Sequence, residues 1–119
     1  MTNQVTSKEI LQRETKLREE LDRIIPVMIE RYDPEKILLF GSLVNDEVGE
    51  WSDLDVVVIK ATDKRFLDRV AEVLDLLAPK VGMDVLVYTP EEFAELVESR
   101  PFFRQEIYEK SEVVYERAR

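Results

Sequence analysis

Apolar residues first recur at helical spacing. Ile10, Leu17, Leu21, Ile24 and Met28 form a stripe that Ile25, Ile29 and Tyr32 widen, which predicts an amphipathic helix. Thr6-x-x-Glu9 is a capping box that sets its start at Ser7. Pro26 has no N–H to give the helix, so a kink is expected there, or a second short helix with Pro26 in its first turn. The opening turns are sparsely apolar and charged, a surface free to serve a partner. Asp33-Pro34 then interrupts the pattern.

Past Pro34 the pattern changes from stripe to run. Lys36 to Phe40 is a short apolar strand that stops at Gly41-Ser42. After a polar loop, Trp51-Ser52-Asp53-Leu54-Asp55 leads into Val56-Val57-Val58-Ile59, a Val-rich run too short for a buried helix and therefore a central strand. Trp51 is expected to pack under the loop, with stacking on a base as the alternative. Thr62 or Asp63 caps a helix to about Leu77, whose broad face (Phe66, Leu67, Val70, Val73, Leu74, Leu77) suits a sheet cover. Pro79 and Gly82 end it. Met83 to Tyr88 is a third strand. Thr89-Pro90-Glu91-Glu92 opens a short helix to Glu98, with Thr as cap, Pro in the first position and Glu completing the box. Pro101 opens another, with Phe103 and Ile107 four apart and facing the core. Val113-Val114-Tyr115 reads as a last edge strand among charges. The fold class is α/β (α+β), a small mixed sheet with helices packed against it.

Length and charge narrow what such a domain can do. The 119 residues form one domain, 1–119, by length. A net charge of −9 argues against generic nucleic-acid binding and against anionic membrane, both of which require a basic surface. With no Cys and no His, carboxylates are left to do any metal or acid–base work. No apolar stretch reaches membrane-spanning length and no signal-peptide pattern opens the chain, so a cytoplasmic location is expected.

The candidate chemistry lies where acidic residues enter the apolar runs. Asp55 stands inside its strand, and an ionised carboxylate there is costly without a compensating cation. In an extended chain Asp53 and Asp55 project to one side. Two carboxylates held that close repel unless a cation lies between them, and oxygen donors suit Mg²⁺. Gly41 permits close approach of backbone N–H groups to a phosphate, and the Ser42 hydroxyl can add a hydrogen bond. Asp84 opens the third strand and reaches the pair if its strand adjoins theirs in register. The plainer alternatives are that Asp53 caps a turn and that Gly41-Ser42 is a tight loop.

Gly41-Ser42, Ser52-Asp53-Leu54-Asp55 and Met83-Asp84-Val85 together resemble the minimal nucleotidyltransferase family, in the DNA-polymerase-β-like superfamily. The resemblance covers Lys36 to Tyr88 by motif. It implies Asp53, Asp55 and Asp84 as catalytic and metal ligands of a two-Mg²⁺ site. Gly41 and Ser42 would bind the nucleotide, and the reaction would transfer a nucleoside monophosphate, AMP from ATP first among them, to an acceptor hydroxyl. It further implies a HEPN-domain partner, with the chain as antitoxin of a toxin–antitoxin module. An oligomer is left open. Gly-Ser is expected to start a short helix. The sequence departs from the family where Arg often follows the Ser by one and three residues: Leu43 and Asn45 stand there, and Asp46 replaces a common Gly. Weak triphosphate affinity follows, and a non-catalytic binding module on the same fold is the main alternative. Aminoglycoside nucleotidylation is a further one.

Overall fold

The computed structural model describes residues 6–118. In chain order the elements are α1 (Ser7–Arg31), β1 (Lys36–Phe40), β2 (Leu54–Ile59), α2 (Phe66–Leu77), β3 (Met83–Tyr88), α3 (Pro90–Ser99), a π-helical segment (Phe103–Tyr108) and β4 (Glu112–Glu116). The strands form one mixed sheet in the order β3-β2-β1-β4. β1 is antiparallel to both β2 and β4, whereas β2 and β3 are parallel. Parallel neighbours cannot be joined by a tight turn, and α2 is the crossover between them.

Alternation along the strands divides the apolar residues between two faces. Ile37, Leu39, Leu54, Val56, Val58, Val85 and Val87 pack with α1 (Leu17, Leu21, Ile24, Met28) and α2 (Val73, Leu77) in the larger core. Leu38, Val57 and Ile59 point the other way, onto Phe93 of α3 and Phe103. β4 is the outer strand beside β1, as the flanking charges predict.

Three local expectations are corrected. α1 is one helix through Pro26, so no second helix starts there. The proline lies on the exposed side, and so does Asp22, whose carbonyl loses its helical donor and is left to water. α2 begins at Phe66 rather than next to Thr62 or Asp63, with Arg65 as an extended N-cap that makes no side-chain bond. Arg69 fixes this start, since its Nε donates to the Lys64 carbonyl at 2.7 Å. The segment opened by Pro101 winds into a π-helix, which still buries Phe103 and half-buries Ile107. The Thr6 cap and the full Thr89/Glu92 capping box are present. Among the described residues no helix is long and apolar enough to cross a membrane.

Candidate active site

β2 and β3 lie in a register that sets Asp55 opposite Asp84. Facing residues of parallel strands share a face, so both carboxylates fall on the side of Val57, Leu86 and Phe93. Each is close to the start of its strand, beyond the apolar cover. Asp55 is half-buried and Asp84 exposed. Both line an open cavity of about 390 Å³ with Phe40 and Leu86, bounded past the β3 edge by Val70 and Leu74 of α2.

Gly41 completes this corner. Phe40, the last residue of β1, pairs with Asp55, and the chain then turns at Gly41 with φ +82°. A Cβ at Gly41 would fall 2.1 Å from Oδ2 of Asp55 and 3.0 Å from its Cγ. Glycine is therefore required twice over, for the backbone angle and for the carboxylate seated on it.

Asp53 is held by contacts of its own. It precedes the ladder, whose first bond runs from Leu54 N–H to the Gly82 carbonyl at 2.9 Å. Its side chain packs over Gly82, where a Cβ would come within 2.2 Å of Oδ1. The same Oδ1 lies 3.8 Å from Nη2 of Arg13, reaching in from α1. Asp53 nevertheless stays within electrostatic reach of Asp55. The Asp55 carboxyl is pushed up to about 7, chiefly by burial, then by the hydrogen bond and charge of Asp84, and finally by the charge of Asp53.

Among the described residues no three acidic side chains are close enough together to enclose a metal ion. Mg²⁺, however, typically takes one or two protein carboxylates and completes its shell with water and substrate phosphates. Two facing carboxylates, with the charge of a third near enough to act on Asp55, fit that mode of binding. They do not fit a closed protein cage.

The loop after Gly41 explains the departures noted in the sequence. Asn45 N–H donates to the Gly41 carbonyl at 3.0 Å and Glu47 N–H to that of Ser42 at 2.9 Å, closing a turn instead of the expected short helix. Asp46 ends it with φ +57°, a left-handed angle at which Gly is favoured and Asp tolerated. Leu43 is buried in the larger core, so its side chain points away from any phosphate. Trp51 is 84% exposed and does not pack under the loop. Two residues of the site escaped the sequence reading. Gly82 resembled a helix terminator, and Arg13 was one charge among many on the first turns of α1.

A second cavity, about 290 Å³, opens at the far end of the sheet among Glu35, Lys36, Ile59, Glu116 and Arg117. Its charges are spent on one another and nearby, Lys36 with Glu116 and Arg117 with Asp33.

A mixed sheet with acidic residues at the starts of two adjacent parallel strands, beside a glycine turn, is a nucleotidyltransferase-like domain. Residues 22–119 match the family described as Polymerase beta, Nucleotidyltransferase, and the chain belongs to that family. Among solved structures it is similar to a "putative nucleotidyltransferase" from Sulfolobus solfataricus, with a TM-score of 0.65 and 13% identity over 98% of this chain and 94% of the other. At that identity the likeness speaks for the fold alone. No curated protein is similar enough in sequence to count as a relative.

Proposed function

We propose that the chain is a Mg²⁺-dependent nucleotidyltransferase that moves AMP from ATP to a hydroxyl on a HEPN-domain partner, as antitoxin of a toxin–antitoxin module. The observation that carries the chemistry is the in-register pairing of Asp55 with Asp84 against Gly41. The partner and the antitoxin role rest on the resemblance of Gly41-Ser42, Asp53-Leu54-Asp55 and Asp84 to the minimal nucleotidyltransferases.

Asp55 and Asp84, with Asp53, would hold Mg²⁺, which when bound neutralises phosphate charge and acidifies the acceptor hydroxyl. The acceptor oxygen forms a bond to the α-phosphorus, and the bond from that phosphorus to the bridging oxygen breaks. Pyrophosphate leaves with the bridging oxygen. The hydroxyl proton passes to water in the open cavity beside Asp55 and Asp84. Gly41 keeps the chain close to Asp55, and the N–H groups and hydroxyl at Ser42 orient the terminal phosphates.

The test is purified chain, HEPN partner, Mg²⁺ and ATP labelled at the α-phosphate. Label is expected on a hydroxyl side chain of the partner, with little transfer when the partner is omitted. A tight complex without label at millimolar ATP would overturn catalysis. That outcome favours the second reading, a binding antitoxin, to which Leu43 in the core and Asn45 in the turn lend support because neither offers a cation to the triphosphate.

A further inference from the structure

One cation does stand at the site, and it comes from α1, ahead of the residues matched to the family. Arg13 is anchored through Nε, which donates to the Ser52 carbonyl at 2.8 Å across 39 residues of sequence. Ser52 is itself fixed, its hydroxyl accepting from Gly49 N–H at 2.8 Å. The guanidinium is thus held in place by one of its five N–H groups. Its Nη2 approaches Asp53 only to 3.8 Å, an ion pair without a hydrogen bond. Four of its N–H groups therefore make no hydrogen bond among the described residues, and 21% of the side chain is exposed. An anchored guanidinium fork with unspent donors, next to one carboxylate of the Asp53-Leu54-Asp55 motif, is suited to bidentate contact with phosphate oxygens. Its acidic neighbour is Asp53, and the loop before Ser52 carries Asp46, Glu47 and Glu50.

We propose that Arg13 is a substrate-binding residue whose free Nη groups grip the β- and γ-phosphates of the nucleoside triphosphate, in place of the cations missing at Leu43 and Asn45. This rests on the nucleotidyltransferase reading above and extends it to the side chain that recognises the triphosphate. In the free chain Arg13 partly neutralises Asp53. With nucleotide bound, Asp53 would be left to the metal and the Arg13 fork would face the phosphates.

The two roles open to Arg13 differ in sign. A triphosphate ligand also competes with metal for Asp53, so its removal leaves metal affinity unchanged or raised while weakening triphosphate binding. A mere strut under Ser52 and Asp53 would, on removal, weaken both. The experiment titrates wild type, Arg13→Met and Arg13→Lys with Mn²⁺ alone, followed by electron paramagnetic resonance, and with ATP and inorganic tripolyphosphate in saturating Mg²⁺, followed by calorimetry. Arg13→Met is expected to weaken ATP and tripolyphosphate equally, by about ten- to a hundred-fold, without loss of Mn²⁺ affinity. Arg13→Lys keeps the charge but not the fork, and an intermediate loss is expected. Should the Met variant melt early, the Lys variant carries the same comparison. Unchanged ATP affinity, or a parallel loss of ATP and Mn²⁺ affinity, would overturn the assignment of Arg13 and leave the nucleotidyltransferase reading standing. Wild type that binds neither ATP nor tripolyphosphate would overturn that reading, and this one with it.

Discussion

Two glycines each support a carboxylate, and the same methyl group should have opposite consequences at the two positions. At Gly82 a Cβ would lie 2.2 Å from Oδ1 of Asp53 and 2.7 Å from its Cγ. Relief to ordinary contact requires the carboxylate to move by about 1 Å, and 47% of that side chain is exposed with only the 3.8 Å ion pair to Arg13 to lose. Such a pair is worth at most about 1 kcal/mol. Alanine also restricts the unfolded chain, which returns about 0.4–1 kcal/mol. Gly82→Ala should therefore leave the melting temperature within about 3 °C of wild type. At Gly41 the φ of +82° costs an L-residue about 1–2 kcal/mol, and the intruding Cβ meets Oδ2, Cγ and Cβ of Asp55 at 2.1, 3.0 and 3.2 Å. Asp55 is held in a strand and faces Asp84, so the backbone must yield. Gly41→Ala should lose at least about 2 kcal/mol, or roughly 8 °C. On the proposed mechanism both carboxylates must be in place, and a displacement of about 1 Å can cost a hundred-fold in rate, so both variants should lose nucleotidyl transfer by about that factor. Differential scanning fluorimetry and the labelled-ATP assay separate the two effects. Gly82→Ala with wild-type transfer would show that the position of Asp53 does not matter to the reaction. Gly82→Ala as unstable as Gly41→Ala would show that Asp53 is packed rigidly, contrary to the geometry.

Two other perturbations follow from charge. Because Asp55 is raised to about 7 from 3.8, the folded chain holds a proton there that the unfolded chain has given up, so this contribution is complete below about pH 3.8 and lost as pH rises through 7. With half the side chain in solvent, about 1–2 kcal/mol survives screening; Asp55→Asn should abolish transfer yet melt no lower than wild type at pH 8, and a lower melting temperature would mark Asp55 as a structural hydrogen-bonding residue. Arg69 is buried, bonded to Glu92 at 2.7 Å and to the Val87 carbonyl at 3.2 Å, so Glu92→Ala should strand its charge at a cost of about 3 kcal/mol in urea unfolding, and a loss below 1 kcal/mol would refute the pairing.

The strands were legible because their signal is local. Short apolar runs bounded by Pro, Gly and Thr-Pro placed Lys36 to Phe40 and Met83 to Tyr88 to the residue. Thr89-Pro90-Glu91-Glu92 was legible for the same reason, as a cap satisfies its bonds within four residues. The failures involve distance. Thr62 and Asp63 are good caps in isolation, but the start of α2 is decided by Arg69, which ties Lys64, Val87 and Glu92 together across three elements. Trp51 was expected inside on hydrophobicity alone, whereas the loop core is filled by Leu43, with Val44 and Val48 against it. Pro26 failed as a breaker because the orphaned carbonyl faces water, which a periodicity count does not weigh.

The site divides along the same line. Gly41, Asp55 and Asp84 were legible because a residue that contradicts its strand must have a reason, and the register of β2 on β3 brings the two acids face to face. Asp53 was assigned by extending strand alternation one residue past the ladder. Its contacts there, with Gly82 across the strands and with Arg13 of α1, carry no sequence signal. Arg13 carries no local signal at all, being one of several charges on an exposed helical end. Substituting Leu43 for a phosphate-binding Arg reads as loss when the loop is taken alone. With α1 in place the same leucine is a core residue, and Arg13 stands at Asp53 although 39 residues separate it from the Ser52 carbonyl that anchors it. If Arg13 binds the triphosphate as proposed, a motif scan is blind to it, because a triphosphate requires positive charge at a point in space and is indifferent to which segment delivers it.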